Sequence, residues 1–545
     1  MIKTFTVLKK WRGEQLAILI LLISGIFLRL FHYLENRSLW EDEVFLASSL
    51  IHMNFYELAT LPLEYQQRAP VGFLWLSHLS VALFDKKEMS LRLFPLICGI
   101  VSIFAFVPVA KFYLQKRLSI FVAIAIVMLA PPLIYHSVEA KQYGTEFLST
   151  VLSLYLFVKF GRTNSVQKLI YWGLGGAVIL WFSFSALFVL GGMAAAISLT
   201  SMIKKEWKRF FLCLIPFGMW LASFVIQYVF FINKFPEEEW LVQFWRNRDA
   251  FMPFPPHSLS NMLWPFNQIY SLIRYPMGLS WFDLDYEHPY SPLLRVLARM
   301  PFLPILIGLV GLRELFIRQK QYLLLYALPV ILALAASSLE LYPLRERLTL
   351  FLAPIFILVI GKGFDALAYQ KIPGSVQQIL AIFIITAPFL NSARQVLDTD
   401  LFGDYKKSRQ REAMQYIQKN YSQGDAVYVY WNDLPSYRYY EEAYHFNFNT
   451  IYGNDVRSLS TDFTSYFKNL SGDFDLIKKH NRFWYIYRPA NNIKLGDIEN
   501  QPAWYFVKVN ATAKARTEVS KLGRLVTEFP EDNLQTDVKA CLFTL

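Results

Sequence analysis

The chain has 545 residues, of which 54% are apolar, 17% aromatic and only 18% charged, against about 25% charged in soluble domains. With a mean hydropathy of +0.30 it reads as a polytopic membrane protein rather than a soluble one. The formal net charge of +12 would point to nucleic acid in a soluble chain. Here, however, Lys and Arg stand in short runs between apolar stretches, where they set orientation and meet anionic membrane lipid, and no nucleic-acid partner is expected.

The basic start (Lys3, Lys9, Lys10, Arg12) leads into an apolar run from Leu16 to Phe31 without a small-residue cleavage site. It reads as an uncleaved first span. Apolar stretches of the length that crosses the hydrocarbon core, roughly 17 to 25 residues, fall near 15–34, 91–110, 118–135, 143–160, 168–183, 184–203, 210–232, 298–317, 322–339, 347–362 and 376–392, which makes about eleven transmembrane helices. The stretch 71–84 is too short to cross and follows Pro70, so an interfacial helix is expected in this first outer loop. With the N-terminus inside, the clusters Lys111/Lys116/Arg117, Arg162/Lys168, Lys204/Lys205/Lys208/Arg209, Arg313/Arg318/Lys320 and Lys362/Lys371 all fall on the cytoplasmic side, as the positive-inside rule requires. Loop 35–90, the 136–142 turn, loop 233–297, the 340–346 turn and the tail then lie on the opposite face.

From about 393 the composition changes, and a transmembrane region 1–392 gives way to a C-terminal soluble domain, 393–545, on the outer face. A helical stretch near 404–420 leads through Gly424-Asp425 to a strand-like Ala426 to Tyr430. Strand patterns recur at Phe483 to Tyr487, Leu522 to Phe529 and Val538 to Phe543, which predicts a small α/β layer. This domain holds no catalytic motif. Cys98, Cys213 and Cys541 are too scattered to form a metal or disulfide pattern.

Three groups of polar residues share the outer face. The first is Trp40-Glu41-Asp42-Glu43, acids that are costly to hold near hydrocarbon and so mark a site, although an acid at a helix start also serves as a cap, the plainer reading for Glu41. The second is Arg68, before Pro70, with snorkelling to lipid headgroups as its alternative. The third is Arg345 and Arg347 on a short outer turn. Positive charge there runs against the orientation rule, and a bound phosphate or an internal pair with Glu340 or Glu346 would account for it. The 135–143 turn offers Glu139, Lys141 and Tyr143 as substrate contacts or simply as a wet turn. Asp283, Asp285, Glu287 and His288 carry the oxygen ligands that a divalent cation prefers, without a defined loop motif; no cofactor or metal is otherwise indicated.

The order of Trp40-Glu41-Asp42-Glu43, Gln67-Arg68-Ala69-Pro70-Val71, Ser90-Leu91-Arg92-Leu93-Phe94-Pro95, Ala130-Pro131-Pro132-Leu133-Ile134, and Arg347 with Pro354 resembles the membrane-embedded C-type glycosyltransferases of the protein O-mannosyltransferase and lipid A aminoarabinose transferase superfamily. The resemblance covers roughly 1–392. It implies a catalytic Asp at Asp42 with Glu43 its neighbour, a donor-phosphate contact at Arg68 in place of the Lys of a Lys-Pro-Pro motif, and an Arg opening a late span at Arg347. Arg for Lys, Ala69 for the first Pro and Leu348 for an aromatic residue are departures from the family pattern.

The expectation is an inverting glycosyltransferase with Asp42 as general base. It would move a sugar from a polyprenyl-phosphate donor to a hydroxyl of a glycan, lipid or protein acceptor, and the resemblance implies the periplasmic side of a bacterial inner membrane. The rival is a transporter or flippase of lipid-linked saccharide, which would show internal repeats and charges within its spans. The sequence shows no repeat, and its ionisable residues lie at span ends. A non-catalytic scaffold would leave the outer acids and arginines without a reason.

Overall fold

The computed structural model describes residues 2–234, 239–280, 302–489, 502–506, 510–530 and 536–545. It opens with the long helix α1 (Ile2–Leu34), after which the first loop folds into three short helices, α2 (Glu41–His52), α3 (Phe55–Thr60) and α4 (Val71–Leu83). Asn54 starts α3 by accepting from the backbone N–H of Tyr56 and Glu57 at 2.9 and 3.0 Å, a side-chain cap that fixes where the chain turns. Helix α4 has 13 residues, about 20 Å at 1.5 Å per residue, and does not reach across a bilayer. It lies so close to its neighbour that the Gly72 N–H bonds Trp181 O at 2.9 Å and a Cβ at Gly72 would meet that oxygen at 2.8 Å.

The membrane part continues with α5 (Glu88–Tyr113), α6 (Arg117–Leu129), α7 (Pro131–Tyr135) and α8 (Tyr143–Phe160), followed by helices at Val166–Leu180, Ala186–Ile203, Trp207–Gln227, Phe302–Arg318, Lys320–Ser338, Ala353–Tyr369 and Gly374–Leu397. Among the described residues, seven helices are long and apolar enough to cross a membrane, and an eighth span arises if α6 and the segment Pro131–Val138, bent by 52°, count as one. The other three of the eleven expected spans are present as helices but fall short of that test. Helix α8 carries Glu146 and is largely buried in the bundle, so protein rather than lipid meets its surface. Of the other two, one has 15 residues and the other has 17 among the described residues, its expected start at 298 lying outside them.

The C-terminal region holds a five-stranded sheet: β1 (Ala426–Val429), β2 (Thr450–Tyr452), β3 (Arg482–Tyr487), β4 (Arg524–Phe529) and β5 (Lys539–Thr544), in the order β2-β1-β3-β5-β4. Strand β1 runs parallel to β2 and β3, and β5 is antiparallel to β3 and β4. Four strands lie where the sequence pattern puts them; the three-residue β2 is too short to leave a pattern.

Sheet and membrane part are joined by a shared core. Leu39, Val44, Leu50 and Leu91 of the first loop and α5 pack into one cluster with Met414, Ile417, Tyr437, Tyr440 and Trp484. At its edge the fully buried Glu88 carboxylate accepts from Arg411 at 2.9 Å, Tyr440 at 3.1 Å and Tyr444 at 2.5 Å, which satisfies a charge that could not be buried alone.

Candidate active site

Successive residues of a helix point about 100° apart, so the three acids that open α2 go three ways. Glu43 turns inward. It is fully buried, takes two hydrogen bonds from the Arg92 guanidinium at 2.8 and 2.6 Å, and accepts the Ala140 N–H at 2.8 Å. Glu41 turns to the sheet, where Arg488, just beyond β3, pairs with it at 2.5 Å. Asp42 faces a cavity and pairs with Arg347, its side chain still 24% exposed. All three also sit at the positive end of the helix dipole, so the plain reading of an acidic helix start holds alongside the functional one.

The cavity has a volume of about 2570 Å³, and its wall includes Asp42, Arg68, Glu139, Lys141, Tyr143, Arg345 and Arg347. Residues more than 200 positions apart in sequence thus share one wall with Asp42. The Arg347 guanidinium lies 5.2 Å from the Trp40 ring centre and 5.4 Å from that of Tyr143, flanked by two aromatic rings that hold a cation well.

The 136–143 turn builds the neighbouring wall. Glu139 accepts from His136 Nδ1 at 2.6 Å and from Trp40 Nε1 at 3.0 Å, and the other imidazole nitrogen of His136 hydrogen-bonds the Tyr275 hydroxyl. The Lys141 ammonium is buried and donates to Gln67 Oε1 at 2.6 Å, tying the turn to the Arg68 loop. Burial pushes that ammonium below its ordinary range, with Asp42 opposing. For Asp42, burial alone would push the carboxyl up, yet the Arg347 and Lys141 cations beside it hold it below the usual carboxylate range. It is therefore a carboxylate at neutral pH.

Of the expected residues, only Glu43 has no atom on the cavity wall. Paired to Arg92, it could serve as a second catalytic carboxylate only by giving up a buried ion pair. Arg345 is at the rim, bonded to Arg248 O and paired with Glu346 at 3.5 Å. Arg68 is exposed on the cavity wall. Asp283, Asp285, Glu287 and His288 lie outside the described residues, among which no group of three His, Cys, Asp or Glu side chains is placed to hold a metal ion.

Sequence reasoning gave no role to Arg92, Lys407, Tyr275 or Arg488. Arg92 could have been found, being a charge in the first turns of an apolar span. Lys407 carries the same signal as Arg347, positive charge on the side that the orientation rule leaves poor in it. Tyr275 and Arg488 have no local signal.

Residues 68–226 match the family model of the dolichyl-phosphate-mannose-protein mannosyltransferases. The crystal structure of ArnT from Cupriavidus metallidurans in the apo state superposes with a TM-score of 0.52 at 11% identity, over 96% of this chain and 97% of that one. The same ArnT bound to undecaprenyl phosphate gives 0.49 at 13% identity, over 96% and 97%. The oligosaccharyltransferase of Archaeoglobus fulgidus, in complex with Zn and sulfate, gives 0.47 at 11% identity over 86% of this chain and 67% of that one. No curated protein matches the sequence. The chain thus shares the fold of ArnT, and its residues 68–226 carry the sequence pattern of the mannosyltransferase family. Both are consistent with the superfamily that the motifs resemble, that of the protein O-mannosyltransferases and ArnT.

Proposed function

We propose that this protein moves a sugar from a polyprenyl-phosphate donor to an acceptor hydroxyl with inversion at the anomeric carbon. The observation that carries the proposal is the Asp42–Arg347 pair, a carboxylate and a guanidinium brought together from opposite ends of the membrane part onto the wall of one large cavity.

In this reading the acceptor hydroxyl hydrogen-bonds Asp42, which takes the proton as the oxygen attacks the anomeric carbon. The bond from that carbon to the phosphate oxygen breaks, and its electron pair stays on the phosphate. The growing negative charge meets Arg347, with Lys141 and Arg68 on the same wall, as a preorganised set of cations should. Glu43 and Arg92 hold the first turn of α2 so that Asp42 keeps its direction. In this step side-chain cations carry the phosphate charge.

The basic loops support placing residues 1–12 inside and residues 393–545 outside, with the cavity opening to the outer face, which for a bacterial cell is the periplasmic side of the inner membrane. The acceptor class, whether glycan, lipid or protein, and the sugar are read out by one experiment: mass spectrometry of cell-envelope glycans and glycoproteins from cells with the wild-type protein, with none, and with Asp42→Asn. A sugar lost in both deficient strains supports the proposal, and identical glycans in all three overturn it.

A further inference from the structure

Lys407 belongs to the segment that joins the last apolar helix to the C-terminal sheet, yet it reaches back to the cavity wall. Its ammonium stands 4.6 Å from the Trp40 ring centre and 4.5 Å from that of Tyr135. It is half-buried and, among the described residues, has no carboxylate at ion-pair distance.

The Arg347 guanidinium lies 5.2 Å from the same Trp40 ring. One indole therefore gathers two cations, whose repulsion in a partly dry site is unfavourable unless anions offset it. The anions at hand are Asp42, paired with Arg347, and Glu139, bonded to His136 and Trp40. Against these two stand Arg347, Lys141 and Lys407. Even with His136 neutral, these five groups carry one more positive charge than negative, and a charge removed from water without a partner is costly. A ligand that brings an anion resolves the imbalance. A phosphodiester brings one negative charge, and the lipid phosphate monoester left after transfer brings about −1.5 to −2.

We propose that Lys407 binds the lipid phosphate of the donor, so that the segment leading into the C-terminal domain completes the donor site. The inference rests on the glycosyltransferase reading of the Asp42–Arg347 cavity. It assigns the tail a part in binding, where sequence motifs find none. A lysine suits the task as a compact, strongly charged donor on a flexible stem.

The test uses the full-length protein in detergent with two probes, undecaprenyl phosphate and the uncharged undecaprenol. The wild type should bind the phosphate more tightly than the alcohol. Lys407→Gln should lose about tenfold in affinity for the phosphate, the scale of one charge-assisted hydrogen bond, with the alcohol unaffected, and Lys407→Arg should retain most of the affinity. In the wild type, where no folding defect can intervene, undecaprenyl phosphate and not undecaprenol should protect Lys407 from an amine-modifying reagent. Unchanged affinity in Lys407→Gln, or no protection, overturns the proposal and makes Lys407 a packing residue on Trp40 and Tyr135. If the wild type fails to distinguish the phosphate from the alcohol, the proposed donor itself falls, a result separate from failure of the Lys407 assignment alone.

Discussion

Asp42 and Arg347 form an ion pair across the two ends of the membrane part, the carboxylate at the first turn of α2 and the guanidinium at the start of a late span. The pair gives an internal partner to an arginine on a turn that the orientation rule expects to be poor in positive charge. It also offsets the upward push of burial on the Asp42 carboxyl, which is held below the usual carboxylate range.

Asp42→Asn preserves size and one hydrogen-bonding oxygen but removes the base. Sugar transfer should fall by about a hundredfold or more, the scale of a lost general base, while the thermal unfolding temperature in detergent changes little. Transfer at near the wild-type rate would remove Asp42 from the mechanism.

Arg347→Ala should weaken polyprenyl-phosphate binding by about tenfold to a hundredfold, the loss of a charge-assisted hydrogen bond. It should also move the acidic limb of the kcat/KM profile. Arg347 depresses the Asp42 pKa, so its removal raises that pKa, and the active carboxylate is then lost at a higher pH. A pH–rate profile measures this; a limb that stays put, or moves to lower pH, contradicts the assignment. Arg68→Ala and Arg347→Ala, if the two residues share one phosphate, should combine to a loss that differs from the sum of the single losses.

Arg92→Ala takes from the fully buried Glu43 carboxylate its two-hydrogen-bond cation and leaves Arg37, at 3.9 Å, as the nearest one. Stability should drop by about 3–5 kcal/mol, the usual effect of removing one partner of a buried pair, and be seen as a lower unfolding temperature or loss of the folded protein. Glu43→Gln should be milder and retain measurable transfer. A Glu43→Gln protein that is fully folded and as inactive as Asp42→Asn would restore Glu43 to the chemistry.

Glu88→Ala leaves Arg411 without its carboxylate and Tyr440 and Tyr444 without their acceptor. The sheet domain should loosen from α2 and α5, so limited proteolysis should cut between 398 and 409 faster than in the wild type. An unchanged cleavage pattern would mean that the shared apolar core holds the domain by itself.

Single cysteines placed in the tail or in 204–209 test the orientation. A membrane-impermeant thiol reagent applied from the outer face should label the tail and not 204–209. Tail labelling that requires permeabilisation would put the cavity on the other side.

Much of this protein is determined locally. The spans follow from runs of apolar residues, since a helix in lipid must present hydrocarbon along its whole length. The helix start at Glu41, the strands at 426, 483, 524 and 539, and the acidic and basic groups that line the cavity are written in short stretches of sequence. The local pattern does not tell what surrounds a helix: α8 reads as apolar in sequence, and in the fold it is wrapped by protein, where Glu146 is tolerated. What the tertiary structure alone decided is the direction of each charge. Glu41, Asp42 and Glu43 are neighbours of the same type in sequence, and only the positions of Arg488, Arg347 and Arg92, each delivered by a different part of the chain, make one a link to the C-terminal sheet region, one a cavity carboxylate and one a buried anchor. Electrostatic energy depends on distance in space and on exclusion of water, and neither is encoded within the four residues that carry the acids.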